Sequence, residues 1–235
     1  MKFNAIYEWV RDNPDTRSAS RKQECEFLYN LVLENPDITR KGRLLEVGSY
    51  CCASTNVLAA AAEELNHEIH AVDLAKFGGA QSVVIHPDIY HNKTWIHPRL
   101  KDRVTFRVCD SMEMIREWYD QKIPVSFAFV DGCHDTDQVV QEMRLLQEMV
   151  IDEGCIACHD ADWGSVRTAL DRMTWDKWIG IKTPFALGEL TPTVDGKLIP
   201  STTTAGDGTV PPHEFLETWR PCYWTVKAWR KHGSI

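Results

Sequence analysis

The sequence predicts a single α/β domain built on a doubly wound, mostly parallel sheet with helices on both faces. Three observations predict it. Apolar strand-like runs alternate with helix-like segments between residues 43 and 160; two of these runs end in an acidic residue, Asp131 after VSFAFV (125–130) and Asp160 after GCIACH; and LLEVGSYCCAST (44–55) carries a buried strand straight into a loop of small residues. Alternating strands and helices call for a parallel sheet with right-handed crossovers. Ligands of such open sheets bind at the carboxyl edge, where strand ends and helix N-termini form a polar cradle.

Each element has its own signal. The first 40 residues read as helical, with SASRKQECEFLYNLVLENPD (18–37) starting at a serine cap and stopping at Asn35-Pro36; they are expected to form a flap before the sheet. RLLEVG (43–48) reads as the first strand, STNVLAAAAEEL (54–65) as the helix after it, EIHAVDL (68–74) as the second strand, and VTFRVCD (104–110) as the third. SFAFVD (126–131) is the fourth strand. DQVVQEMRLLQEMV (137–150) is an amphipathic helix, with Val140, Met143, Leu146 and Val150 at helical spacing, and CIACHD (155–160) is the fifth strand. CYWTVKAW (222–229) has strand composition and completes the sheet. Residues 75–100 are too long for an ordinary connection and are expected to act as a lid over the sheet's carboxyl edge. Residues 190–215, rich in Pro, Gly and Thr, are expected to form an irregular loop or small hairpin. No repeat or linker divides the chain, so residues 1–235 form one domain.

Composition narrows the function. A length of 235 residues and 43% hydrophobic content suit one globular domain with a large core. A net charge of −8 disfavours nucleic acid, which needs a clustered positive surface; the basic run KAWRKH (227–232) reads as a solvated segment. No stretch approaches the ~20 apolar residues that span a bilayer. The start, MKFNAIYEWVRDN, lacks a secretory signal, which places the protein in the cytoplasm with its eight cysteines as thiols. The expected partner is a small-molecule acceptor, with a homo-oligomer left open.

The strand ends carry the chemistry. In EVGSYCCAS, Gly48 and its small neighbours Ser49 and Ser54 let the backbone approach a ligand closely. Asp73, ending the second strand about 20 residues past the turn, is placed to accept the hydroxyls of a ribose. Asp110-Ser111, ending the third strand, is placed to meet an adenine edge. Glu46, Gly48, Asp73 and Asp110 therefore form an ordered set suited to a nucleoside cofactor carrying a sulfonium. Each acidic residue alone also fits helix capping or solubility; the set carries the argument.

These residues resemble the class I S-adenosylmethionine-dependent methyltransferases. EVGSYCCAST is similar to that fold's E-x-G-x-x-x-G loop, and DGCHD and GCIACHD are similar to the D-G-x-H and G-G-x-x-x-x-H-D signatures of the macrocin O-methyltransferase-like family, over roughly residues 20–165. The resemblance implies a Rossmann-like, seven-stranded sheet and S-adenosylmethionine as cofactor. It implies that Asp131 and the pair His159-Asp160 hold magnesium, or manganese in its place, and that His134 is the general base; Asp131 also counts among the cofactor-binding residues. The sequence departs from the family at three points. Cys52 stands at the second loop glycine, so its φ must stay negative or strain is stored there; Thr136 stands at an aromatic position, and Glu153-Gly154 replaces a Gly-Gly turn.

The pairing suits O-methylation: an alcohol is a poor nucleophile at neutral pH, so a base must take its proton, and a divalent ion on Asp131 and Asp160 acidifies and orients a hydroxyl. Neighbours on a strand face opposite ways, so His159 joins Asp160 at the site only if the strand has already broken into loop; otherwise it is a core histidine. Cys155-x-x-Cys158 lacks a second pair and reads as two buried thiols, Cys51-Cys52 as loop packing. His86, His91 and His97, with Tyr90 and Trp95, are spaced too irregularly for a metal and read as an aromatic lid. Trp163, Trp175 and Trp178 read as core. The function expected is O-methylation of a hydroxyl on a sugar or other polyhydroxylated small molecule. Two alternatives stay open: a nicotinamide-dependent oxidoreductase, which the loop fits poorly because it is not G-x-G-x-x-G, and a cofactor-binding module without catalysis.

Overall fold

The computed structural model describes residues 1–16, 22–77, 83–161, 163–181, 193–194, 197–198 and 226–232. Along the chain run α1 (Phe3–Asp12), α2 (Lys22–Glu34), α3 (Pro36–Thr39), β1 (Arg43–Val47), α4 (Ala53–Glu64), β2 (Ile69–Asp73), the short β3 (Lys76–Phe77) and β4 (Val83–Val84), and α5 (Asp88–His91). A 3-10 turn (Pro98–Arg103) then leads into β5 (Val104–Val108), α6 (Ser111–Asp120), β6 (Val125–Val130), α7 (Thr136–Met149), β7 (Val150–Cys158), α8 (Gly164–Asp171), β8 (Trp178–Ile181), β9 (Thr193–Val194), β10 (Lys197–Leu198) and β11 (Lys227–Lys231).

Seven strands form the main sheet in the order β5-β2-β1-β6-β7-β11-β8. β5, β2, β1, β6 and β7 pair in parallel, and β11 enters antiparallel between β7 and β8. The chain moves outward one way through β1, β2 and β5 and the other way through β6 and β7, so the direction reverses between β1 and β6. Such a switch point opens the crevice that holds ligands in doubly wound sheets.

The strands are buried on both faces, which is why they read as near-continuous apolar runs. Alternation sorts their residues: Leu44, Phe127, Phe129, Cys155 and Ala157 face a core shared with α1, α2 and α4, whereas Leu45, Ala128, Val130, Ile156 and Cys158 face one shared with α6, α7 and α8. Cys155 and Cys158 thus diverge to opposite faces, and burial pushes the Cys155 thiol up to about 12. The seven described cysteines are all free thiols. Trp175 stacks flat on Trp229 at 4.0 Å and packs, with Trp163 and Trp178, against the second core.

The N-terminal helices expected as a flap pack against α4, with Ile6, Val10, Leu28 and Val32 buried. Within the long excursion, residues 78–82 lie outside the described residues, and Ile85, Tyr90, Ile96 and Leu100 are buried in the first core. Of residues 190–215, only the antiparallel pair β9 and β10 is described; of CYWTVKAW, residues 222–225 lie outside the described residues. α7 stops at Met149, so Val150 opens β7 instead of closing the helix. Among the described residues no helix is long and apolar enough to cross a membrane.

Candidate active site

The turn after β1 sits at the switch point. Gly48 has φ +85°, and a Cβ there would lie 2.2 Å from the carbonyl oxygen of Asp131, so only glycine fits between the ends of β1 and β6. The backbone then folds so that the N–H groups of Ser49 and Tyr50 both donate to Asp73 Oδ2, at 2.8 and 2.9 Å, while Ala75 N–H donates to Oδ1 at 2.7 Å. Asp73 therefore stands where the sequence placed it, and it also organises the turn beside it.

Of the two outcomes open to Cys52, a negative φ or stored strain, the structure shows the second. Cys52 sits in the left-handed region at φ +63°, as the glycine of the family pattern would, and Tyr50 is left-handed at φ +39°. Glu153, at the replaced Gly-Gly turn, has φ +63° as well. The backbone keeps its glycine-type path at both replacements and stores strain there.

Glu46 is fully buried beneath the turn and accepts from Thr55 Oγ1 at 2.6 Å and Ser49 Oγ at 3.1 Å. Burial raises its pKa to about 7, against the lowering effect of hydrogen bonds from Ser54, Thr55 and Ser49. Glu46, Ser49 and Ser54 thus form an internal support for the turn. Asp110 caps α6, accepting from Met112 N–H at 2.8 Å, and Ser111 donates to the buried Glu142, which Gln138 also reaches at 3.2 Å.

The second cluster lies where β6 and β7 end. β7 stops at Cys158, and Asp160 turns left-handed at φ +51°, so the two-residue alternation is broken and His159 and Asp160 converge. His159 Nδ1 lies 3.3 Å from Asp131 Oδ1 and 3.2 Å from Asp160 Oδ1; His134 Nε2 lies 3.1 Å from Asp160 Oδ2. Burial draws the His134 pKa down, but the hydrogen bond and charge of Asp160, with Asp131, outweigh it and leave the imidazole above its ordinary value. Burial likewise opposes a charged His159, and Asp131 and Asp160 overcome it. Asp160 is held well below the usual carboxylate range because its bonds to His134 and His159 outweigh its own burial.

One ligand atom each from Asp131, His134 and Asp160 lie within 4.8 Å of one another. Two carboxylates and an imidazole are a donor set that a divalent cation such as Mn²⁺ accepts, and Mg²⁺ takes the oxygen pair. This set contains His134, where sequence reasoning named His159. The signal was the D-G-x-H spacing itself, which returns His134 towards the strand end that carries Asp131. Sequence reasoning also missed Trp163 at this site: its ring centroid lies 5.5 Å from that of His134. Of the excursion histidines, His97 caps the 3-10 turn and His86 pairs with Asp88.

Residues 45–161 match the family described as "Methyltransferase domain". The chain carries a methyltransferase domain. That match favours a methyltransferase over the nicotinamide-dependent alternative. No curated protein matches the sequence. Among solved structures, the methyltransferase fold is shared with a putative O-methyltransferase from Klebsiella pneumoniae (TM-score 0.59, 13% identity, 97% of this chain and 90% of that one). It is shared too with an O-methyltransferase from Bacillus cereus in complex with SAH (0.53, 16%, 76% and 80%). A third is the O-methyltransferase TomG from Streptomyces achromogenes, involved in tomaymycin synthesis and solved with SAM (0.54, 11%, 100% and 91%).

Proposed function

We propose that this methyltransferase uses S-adenosylmethionine to methylate a hydroxyl oxygen of a small polyhydroxylated molecule such as a sugar, with His134 as general base. The observation that carries the reading is the His134–Asp160 contact of 3.1 Å where β6 and β7 end, on the same edge of the sheet as the turn anchored on Asp73. In this reading Asp160, whose Oδ2 lies 3.1 Å from Nε2, is the partner that orients His134. A histidine tethered through one ring nitrogen to a buried carboxylate is oriented and made a stronger base, which is what a neutral alcohol requires.

The residues fit the cofactor. Gly48 permits the close passage of backbone, and Asp73, at the end of β2 beside the turn, is a carboxylate of the kind that accepts a ribose hydroxyl. Bound there, S-adenosylmethionine supplies a methyl group activated by its sulfonium charge. Asp131, His134 and Asp160 fit a divalent ion, which when present lowers the pKa of an oxygen ligand and fixes its direction. A histidine that binds such an ion through Nε2 keeps only Nδ1 for proton transfer. Alignment of acceptor and methyl donor contributes about 7–11 kcal/mol, and a positioned base about 10²–10⁴-fold.

The test is calorimetry of the purified chain with S-adenosylhomocysteine and with NAD, followed by transfer of labelled methyl to a panel of sugars and polyols. Binding of the first nucleoside alone and label in an ether linkage are expected. Absence of S-adenosylhomocysteine binding overturns the cofactor; label on nitrogen or carbon overturns the acceptor class.

A further inference from the structure

The turn that faces the proposed cofactor is held from outside by the long excursion. Tyr90, on α5, is fully buried, and its hydroxyl donates to the carbonyl oxygen of Tyr50 at 2.7 Å. Asn56, on the first turns of α4, is fully buried too: its Nδ2 donates to Cys52 O at 2.6 Å and to Trp95 O at 2.9 Å, while its Oδ1 accepts from His97 N–H at 2.8 Å. The two carbonyls so gripped belong to Tyr50 and Cys52, the two non-glycine residues of the turn at positive φ. Left to itself, a non-glycine residue at positive φ relaxes to negative φ. Relaxation at Tyr50 would swing the Ser49–Tyr50 peptide and draw both N–H groups off Asp73.

We infer that Tyr90 is a positioning residue for the cofactor turn: its hydroxyl keeps Tyr50 left-handed, so that the excursion sets how well Asp73 and the turn receive the nucleoside. This rests on the proposed cofactor reading. The grip does for a turn with Tyr50 and Cys52 what glycines would do without help, because a glycine pays no penalty at positive φ. The excursion residues 85–97 are then part of the binding apparatus although none of them needs to touch the ligand.

The inference is tested with Tyr90→Phe, which keeps the ring in the core and removes only the donor. Two readouts are taken: amide hydrogen exchange at Ser49 and Tyr50 by NMR, and affinity for S-adenosylhomocysteine by calorimetry. Exchange at those two amides is expected to quicken at least tenfold while the amides in the middle of α4 keep their wild-type rates, and affinity is expected to fall about tenfold. Ile69→Val, buried in the same core but at the start of β2, the opposite end from Asp73, is expected to lower the melting temperature with neither change. The same loss of the hydroxyl in a Tyr50→Gly background is expected to cost less affinity, since glycine holds the turn unaided. Unchanged exchange at Ser49 and Tyr50, or faster exchange with unchanged affinity, overturns the inference, as does an equal loss from Ile69→Val. If the wild-type chain binds no S-adenosylhomocysteine, the cofactor reading falls and this inference with it, while the exchange data still report whether the hydroxyl holds the turn.

Discussion

His134 and Asp160 meet at 3.1 Å although they descend from different strands, His134 from the loop after β6 and Asp160 from the loop after β7. The contact exists because Asp160 is left-handed, which turns its carboxylate back over the strand end. If the pair is the base, His134→Ala lowers turnover about 10²–10⁴-fold with cofactor affinity nearly intact, since a base acts mainly in the transition state. Full turnover in that variant would leave alignment as the source of catalysis.

Metal binding is measured apart from turnover. Titration of the chain with Mn²⁺, followed by calorimetry or water-proton relaxation, is expected to show one site that Asp160→Asn abolishes. His134→Ala separates the two roles of the imidazole: lost Mn²⁺ affinity marks it as a ligand, and retained affinity with lost turnover marks it as the base.

Gly48→Ala is expected to destabilise the fold by about 3 kcal/mol or more, because the new methyl meets backbone at 2.2 Å and φ is +85°. Chemical denaturation measures it. A loss under 1 kcal/mol, on the scale of ordinary surface changes, would mean that the ends of β1 and β6 are further apart than described.

Asp73→Ala should weaken S-adenosylhomocysteine binding by about 1.5–3 kcal/mol, the usual scale for hydrogen bonds to a charged group. It also removes the acceptor of three backbone N–H groups, so the melting temperature falls with it. Unchanged affinity in a folded variant removes Asp73 from the binding site.

Glu46 makes stability depend on pH. Its folded pKa of about 7 lies above the 4.5 of an ordinary glutamate, so the native state binds the proton more tightly than the unfolded one. The cost to the fold is absent below the unfolded value, grows as pH rises between the two, and is complete above about 7. It is on the order of 3 kcal/mol. Glu46→Gln is expected to flatten the denaturation midpoint across that window; a curve with the same slope as wild type would show that Glu46 titrates normally.

The strand ends were legible because each apolar run breaks at one polar residue. Asp73 and Asp131 could be placed from that break alone, whereas the reversal between β1 and β6 depends on which strands pair and is seen only in the folded sheet. The left-handed backbone at Tyr50, Cys52, Glu153 and Asp160 was not legible, since none of these residues is glycine and φ is imposed by the packing around them. His159 depended on where β7 stops, one residue either way being enough to turn it into the core. The cap that Asp110 forms on Met112 N–H is local to α6 and open to sequence reasoning, whereas Glu142, which Ser111 reaches, comes near only once α6 and α7 are packed together.

The antiparallel β11 has a consequence for the order in which the molecule is made. Among the described residues β8 pairs with the main sheet only through β11, whose residues 227–231 are synthesised some fifty positions later, whereas β5, β2, β1, β6 and β7 are all complete by residue 158. On the ribosome, the five strands that frame the turn and the two histidines can associate while β8 is still waiting for its neighbour. A nascent chain halted after residue 181 would present the edge of β7 as a row of open backbone groups, the feature by which quality-control machinery and stray strands alike recognise an unfinished sheet.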